Sequence, residues 1–264
     1  MPWPLLLRRD SLVQCWWGSI SPRAWHFRRK SPSSRFTISA AMWRQIIWLI
    51  PSWNRLFWRS SSAAGTAISY WCGITATTPS WAATDDAAGE AFDKAARCVG
   101  LSYPGGVALD AISHEGDPHA YPLPTPHAEG EFNFSFSGLK TAVINLAHNA
   151  EQKGQPLVPA DLAASFCCHV SEILWQKTAL AAERCGCDKI VLAGGVSANS
   201  WLRQRARQGC AEKGWQLYMP PLSLTGDNAA MIGAQAYYEY LAGHTADESL
   251  NGLPTMEITE QFGA

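Results

Sequence analysis

Acidic residues are nearly missing from the first 84 positions, where ten Lys and Arg stand against a single acid, Asp10. A stretch with a balance of +9 that also holds ten of the chain's 13 Trp is unlike the mixed-sign surface of an ordinary globular domain. Other absences narrow the field. None of the eight Cys forms a CxxC pair, and "CGC" (Cys185 to Cys187) alone is a weak metal or redox signal. Buried reduced thiols are the plain reading and suit a cytosolic protein. No apolar run reaches the ~18–20 residues of a membrane span. No HExxH and no catalytic-triad signature is present, which leaves peptide hydrolysis without support.

Past position 84 the balance reverses, with 11 basic and 21 acidic residues. The near-neutral total of −1 is therefore a cancellation between two unlike halves. The break falls inside "PSWAATDDAAGEAFDKAARCVG" (Pro79 to Gly100) and divides the chain into residues 1–84 and 85–264. Three readings compete for the left part. One is an Arg- and Ser-rich transit peptide, and one is a Trp/Arg segment lying on a membrane surface. The third is translation in the wrong frame. Ten Trp in 84 residues argue against a transit peptide, and neither helical nor strand periodicity persists there. The genetic code favours the third reading. Back-translating Ser62 to Ala82 with free third bases, and reading one base earlier, permits S-G-G-H-S-H-L-L-L-V-R-D-H-G-D-Y-S-L-L-G. That string has the glycine loop, apolar strand and charged turn of folded protein. Residues 1–84 are accordingly expected to be frame-shifted or non-native and to pack poorly, with Trp side chains exposed.

The right part reads as alternating elements. "DDAAGEAFDKAARCVGL" places Ala88, Ala91, Phe92, Ala95 and Val99 on one helical stripe, with Gly100 as a C-cap. A solvated helix face is the plain reading of Asp93 and Lys94. "SYPGG" (Ser102 to Gly106) predicts a tight turn whose glycines bring backbone N–H groups near a ligand. Residues 111–131 read as a Pro- and His-rich surface connection. His114, His119 and His127 have no helical-pair spacing, which disfavours a metal site. Phe132, Phe134 and Phe136 alternate with polar residues, predicting a half-buried strand. A helix opens at Ser137-Gly138 along Leu139, Ala142, Val143 and Leu146, and Lys140 in its first turn hints at an anionic partner. Residues 159–184 predict a long apolar helix with Pro159 in its first turn. Strands over Lys189–Leu192 and Trp215–Met219, each followed by a loop and a helix, predict a parallel-type sheet. Ligands in such sheets sit at the carboxyl ends of strands, where "AGGVSAN" and "PPLSLTGDNA" fall. Ser197 or Asn199 is placed to cap the following helix.

Taken together, "DDAAGEAFDK", "YPGG", "FNFSFSGLKTAV", "VLAGGVSAN" and "TGDNAAMIG" closely resemble the TsaD family, over residues 85–242. The resemblance implies an α/β fold of the ASKHA (actin/Hsp70/sugar-kinase-like) type, with the N-terminal lobe damaged or missing in this chain. It implies an acyltransferase that moves threonylcarbamoyl from threonylcarbamoyl-AMP to N6 of adenosine 37 in tRNAs reading ANN codons. By position it carries substrate-binding roles to Asp93, Gly106, Asp110 and Asn199, and a metal-ligand role to Asp227. The implied cofactor is one divalent ion, iron(II) or zinc(II), and the implied partners are tRNA and TsaB-like and TsaE-like subunits in the cytoplasm, with no membrane. The family's two other metal ligands lie in an HxxxH motif, and no HxxxH occurs in this chain. One Asp cannot hold a divalent ion tightly, so activity of the chain as written is expected to be impaired. An ATP-dependent ASKHA kinase, or a nucleotide-binding subunit without catalysis, is the alternative reading.

Overall fold

The computed structural model describes residues 57–63, 66–72, 88–241 and 243. Residues Leu56–Gly73 and Pro79–Thr225 form one compact unit, and Gly226–Ala264 belong to a second.

The first unit is built on a four-stranded sheet of order β2-β1-β3-β4. β3 (Lys189–Ala193) runs parallel to β4 (Gln216–Tyr218), as the β-α-β pattern predicts. β1 (Phe57–Ala63) lies parallel to β3 from Trp58↔Ile190 to Ser61↔Ala193, and antiparallel to β2 (Thr66–Cys72). These two strands stand where the sequence shows no strand periodicity. A ladder is closed by backbone N–H and C=O groups, which every non-Pro residue carries, so pairing does not require an apolar alternation. Residues 57–63 and 66–72 are thus paired into the sheet, against the expectation of poor packing over residues 1–84, while the exposure of their Trp side chains and the rest of that segment lie outside the described residues.

Helix α1 (Ala88–Cys98) buries Ala88, Ala91, Phe92, Ala95 and Ala96. Val99, predicted on that stripe, lies past the helix end. There Gly100 turns at φ 76° and Leu101 N–H bonds back to the Ala96 carbonyl at 2.9 Å, an ending that Gly adopts without steric cost. Helix α2 (Gly105–Ser113) was not legible as a helix. Two glycines at its start have the weakest helix propensity after Pro, but Asp93 Oδ1 accepts from Gly105 N–H at 2.8 Å and supplies the missing cap.

Helix α3 (Ser137–Gln152) begins where expected. The preceding Phe132–Phe136 segment is not a strand, because only Phe134 makes an isolated bridge. Phe134 and Phe136 are both buried with stacked rings, 6.1 Å between centroids. Burial of alternate side chains produced the pattern, with no strand paired to this segment among the described residues. The anionic partner of Lys140 is internal: its buried ammonium lies 3.2 Å from Glu90 of α1.

Helix α4 (Pro159–Cys185) spans 27 residues, about 40 Å at 1.5 Å per residue. It ends at Gly186, φ 62°. Leu162, Ala163, Phe166, Cys167 and Val170 are fully buried along it. The connection from His114 to Glu131 is fastened along the same helix. Asp117 N–H donates to Asp161 Oδ1 at 2.9 Å, Tyr121 N–H to Ser165 Oγ at 3.2 Å, and His169 Nε2 to the Pro124 carbonyl at 3.0 Å. Lys177 and Arg184 hold Glu131 through its carbonyl and carboxylate, both at 2.7 Å. A Cβ on Gly116 would lie 2.1 Å from the Ala160 carbonyl oxygen, so the strap enters against the helix backbone itself. Helix α5 (Ser200–Lys213) packs on α4 by a similar close approach, because a Cβ on Gly209 would meet the Trp175 ring at 2.1 Å. Of the second unit, helix α6 (Ala229–Leu241) is described.

Candidate functional site

The loop after β3 carries the chain from the sheet into α5. Gly194 adopts φ 90°, a short 3₁₀ turn covers Gly195–Ala198, and Asn199 caps the helix by accepting from Leu202 N–H at 3.0 Å. The Ser197 hydroxyl is buried and makes no hydrogen bond among the described residues. Arg203, one turn into α5, reaches back with both arms of its guanidinium. It donates to the Ser197 carbonyl at 3.0 Å and to the Pro220 carbonyl at 2.9 Å. Both loops that leave the carboxyl ends of β3 and β4 are thus tied to one planar, rigid donor.

Asn199 is nearly buried and meets Asp110 of α2, 89 residues away, with Nδ2 to Oδ1 at 2.9 Å. Its amide also points at the Cys167 thiol, Nδ2 to Sγ at 3.7 Å. Burial pushes that thiol up to about 12, so it stays neutral and serves as a weak acceptor. The Asp110 carboxylate also accepts from Ser200, whose N–H and Oγ donate to Oδ1 at 3.0 and 2.8 Å.

At the other end of α2, Asp93 holds Gly105 N–H. Gly105, and not Gly106, is the sterically obligatory glycine. A Cβ on Gly105 would lie 2.7 Å from both Asp93 Cα and Ala96 Cβ, whereas one on Gly106 would meet only Phe92 Cβ at 3.7 Å. Gly105→Ala is therefore expected to cost about 1–3 kcal/mol as an overpacking substitution. Gly106→Ala is expected to leave stability within about 0.5 kcal/mol. Urea denaturation of the two variants checks this, and equal losses would contradict it.

The structure thus brings Asp110 and Asn199 into direct contact and places Asp93 at the start of the same helix, beside Gly105 and Gly106. Asp227 belongs to the second unit. Asn228, next to it, caps α6 by accepting from Met231 N–H at 3.0 Å. No cluster of three His, Cys, Asp or Glu suited to a metal exists among the described residues. With one predicted ligand and no HxxxH in the chain, the described residues do not fit a divalent ion. Sequence reasoning missed Gly105, Ser200 and Arg203. A doubled glycine marks close backbone approach without saying which glycine makes it. Ser200 and Arg203 act on groups that only folding brings near.

An α/β unit with a largely parallel sheet, glycine and helix-cap loops at the strand ends, and the Asp110 carboxylate against the loop after β3 fits the ASKHA class. Full-length HypF in its phosphate- and nucleotide-bound form superposes with a TM-score of 0.65 at 11% identity, covering 90% of this chain and 39% of HypF. HypF from T. kodakarensis superposes at 0.63 with 12% identity, covering 92% of this chain and 41% of that one. At those identities the likeness shows the fold alone. The family model of TsaD, tRNA N6-adenosine threonylcarbamoyltransferase, matches residues 64–234, and the chain belongs to that family. A relative of that description from Moorella thermoacetica is 51% identical over 175 residues, covering 66% of this chain and 51% of the relative. One from Bacillus subtilis is 48% identical over 179 residues, with the same two coverages. The chain spans about half the length of the curated relatives it matches.

Proposed function

We propose that this chain carries the substrate-holding half of an enzyme that transfers threonylcarbamoyl from threonylcarbamoyl-AMP to N6 of adenosine 37 in ANN-reading tRNAs. The observation that supports it most is the 2.9 Å contact between Asp110 and Asn199. It brings together, from two segments, a carboxylate acceptor and the amide that orients it, beside the loops where ASKHA-type sheets hold nucleotides. Attack of the adenosine amine on the mixed anhydride expels AMP, so the site must hold the nucleotide while charge grows on its phosphate. With Gly105 N–H held by Asp93, the backbone N–H groups of Gly106 and Val107 in the first turn of α2 are the ones that suit the phosphate. Carboxylates such as Asp93 and Asp110 suit hydroxyl donors. The proposed partners are tRNA and the TsaB-like and TsaE-like subunits, in the cytoplasm. No helix among the described residues is long and apolar enough to cross a membrane. The ATP-dependent kinase reading has the support of the fold alone.

Titration calorimetry with AMP tests the reading on the full chain. Binding is expected, and Asn199→Ala is expected to weaken it by up to a few kcal/mol, the scale of one or two lost hydrogen bonds. The same variant loses a helix cap worth about 1 kcal/mol, so thermal melts are needed to separate the two losses. Absence of AMP binding to the unaltered chain defeats the proposal.

A further inference from the structure

The carboxylate of Asp110 is loaded on one side. Asn199 Nδ2, Ser200 N–H and Ser200 Oγ all donate to Oδ1, at 2.9, 3.0 and 2.8 Å, and no hydrogen bond reaches Oδ2 among the described residues. Behind Ser200 stands His114, with Nε2 at 2.9 Å from Ser200 Oγ. The chemistry of the partners fixes the direction of this chain. An ionised carboxylate only accepts, and a serine hydroxyl has a single proton to give. That proton goes to Asp110, so the contact with His114 requires the ring to donate from Nε2. His114 is itself held in place. Its ring stacks on Trp201 at 6.2 Å and 13° between planes. The Trp201 indole N–H donates to Ser113 Oγ at 2.8 Å, and that hydroxyl donates to the Asp110 carbonyl at 2.7 Å. The loop of bonds closes on the residue from which it started.

We propose that Ser200 and His114 are positioning residues for Asp110. His114 fixes the hydroxyl rotor of Ser200, Ser200 fixes the carboxylate rotor of Asp110, and Oδ2 is left as one oriented acceptor for a ligand hydroxyl. A hydroxyl donor is favoured there over a phosphate oxygen, which brings a second acceptor and a like charge to the same oxygen. Discrimination between a ribose with its hydroxyls and one without them is then set partly by residues that never touch the ligand. The ligand side of this proposal rests on the nucleotide-binding reading above. The hydrogen-bond chain itself does not.

Two measurements on the full chain separate them. The first needs no ligand. The ring ¹⁵N spectrum of His114 near neutral pH is expected to show the Nε2–H tautomer with a hydrogen-bond shift at Nε2, the shift lost in Ser200→Ala and kept in Ser200→Thr. An Nδ1–H tautomer, or a spectrum indifferent to Ser200→Ala, overturns the proposal. The second compares AMP with 2′,3′-dideoxy-AMP by calorimetry. The unaltered chain is expected to prefer AMP about tenfold or more, as one charge-assisted hydrogen bond allows. Ser200→Ala should reduce that ratio to about threefold or less. His114→Phe, which keeps a ring against Trp201 but removes the donor, should reduce it severalfold, while Ser200→Thr retains it. A ratio unchanged in both Ser200→Ala and His114→Phe overturns the positioning role. If the unaltered chain binds neither nucleotide, the nucleotide reading fails, and the ring spectrum alone decides whether Ser200 and His114 orient Asp110.

Discussion

A chain whose first 84 codons are read one base earlier is expected to bind a divalent ion and form threonylcarbamoyladenosine, and the chain as written is expected to do neither. The gene is the first check. Read one base earlier, the codons over Ser62 to Ala82 permit SGGH followed by LLG, upstream of "DDAAGEAF". The same shift permits CAT, a histidine codon, overlapping Ile38 and again overlapping Met42. That is an HxxxH spacing, supplying the two ligands the written chain lacks. The family match as written reaches back to residue 64, so residues 64–84 are where the two frames compete most directly. Nucleotide sequencing decides between them, and stop codons or unrelated residues in the shifted frame return residues 1–84 to the leader readings. Elemental analysis and nucleoside mass spectrometry follow, on the restored chain with threonylcarbamoyl-AMP, tRNA and partner subunits. Asp227→Ala in that background is expected to abolish metal retention, because it removes one of three protein ligands. Activity of the unaltered chain would falsify this account, and His114 and His119 then become the first residues to substitute.

Phe166→Ala should produce the largest stability loss of any single substitution considered. Phe166 is fully buried on α4, and its ring meets Phe92 of α1 edge-to-face, 5.1 Å between centroids at 85°. Truncating a buried Phe costs about 3–5 kcal/mol through lost transfer energy and the cavity left behind. The aromatic pair adds about 0.5–1.5 kcal/mol beyond area. Phe92 is the neighbour of Asp93, so the cavity should also loosen the residue that caps α2. Urea unfolding measures the first effect, and hydrogen exchange at Gly105 N–H reads the second. A loss under about 1 kcal/mol, with unchanged exchange at Gly105, would show that α1 is held by other contacts.

What was legible in the sequence divides along the range of the forces involved. Helices α1, α3, α4 and α5 and strands β3 and β4 carry their own signals, because apolar spacing, Pro159 and the terminal glycines act within a few residues. Helix α2 does not, since its first turn is stabilised by Asp93, twelve residues upstream. The Phe132–Phe136 alternation misleads for the opposite reason. It reports burial of alternate side chains, which a sheet produces and which an irregular segment lying against helices produces as well. Lys140 reads as a hint of a ligand because its first-turn position is unusual, and Glu90 answers it from another helix. The site shows the same division. Asp110 and Asn199 are recognisable by the motifs around them, but Ser200 and His114 become relevant only once the 90- and 86-residue separations close.

The strap from His114 to Glu131 carries a consequence for how this gene can vary. Surface connections ordinarily absorb insertions and deletions freely. This one is fastened to Asp161, Ser165, His169, Lys177 and Arg184 in ascending order along a single helix. An added residue between any two fastenings shifts all later ones out of step with the helix at once. The segment is therefore expected to drift in composition between its anchors while its residue count stays fixed, behaving as a ruler laid along the helix.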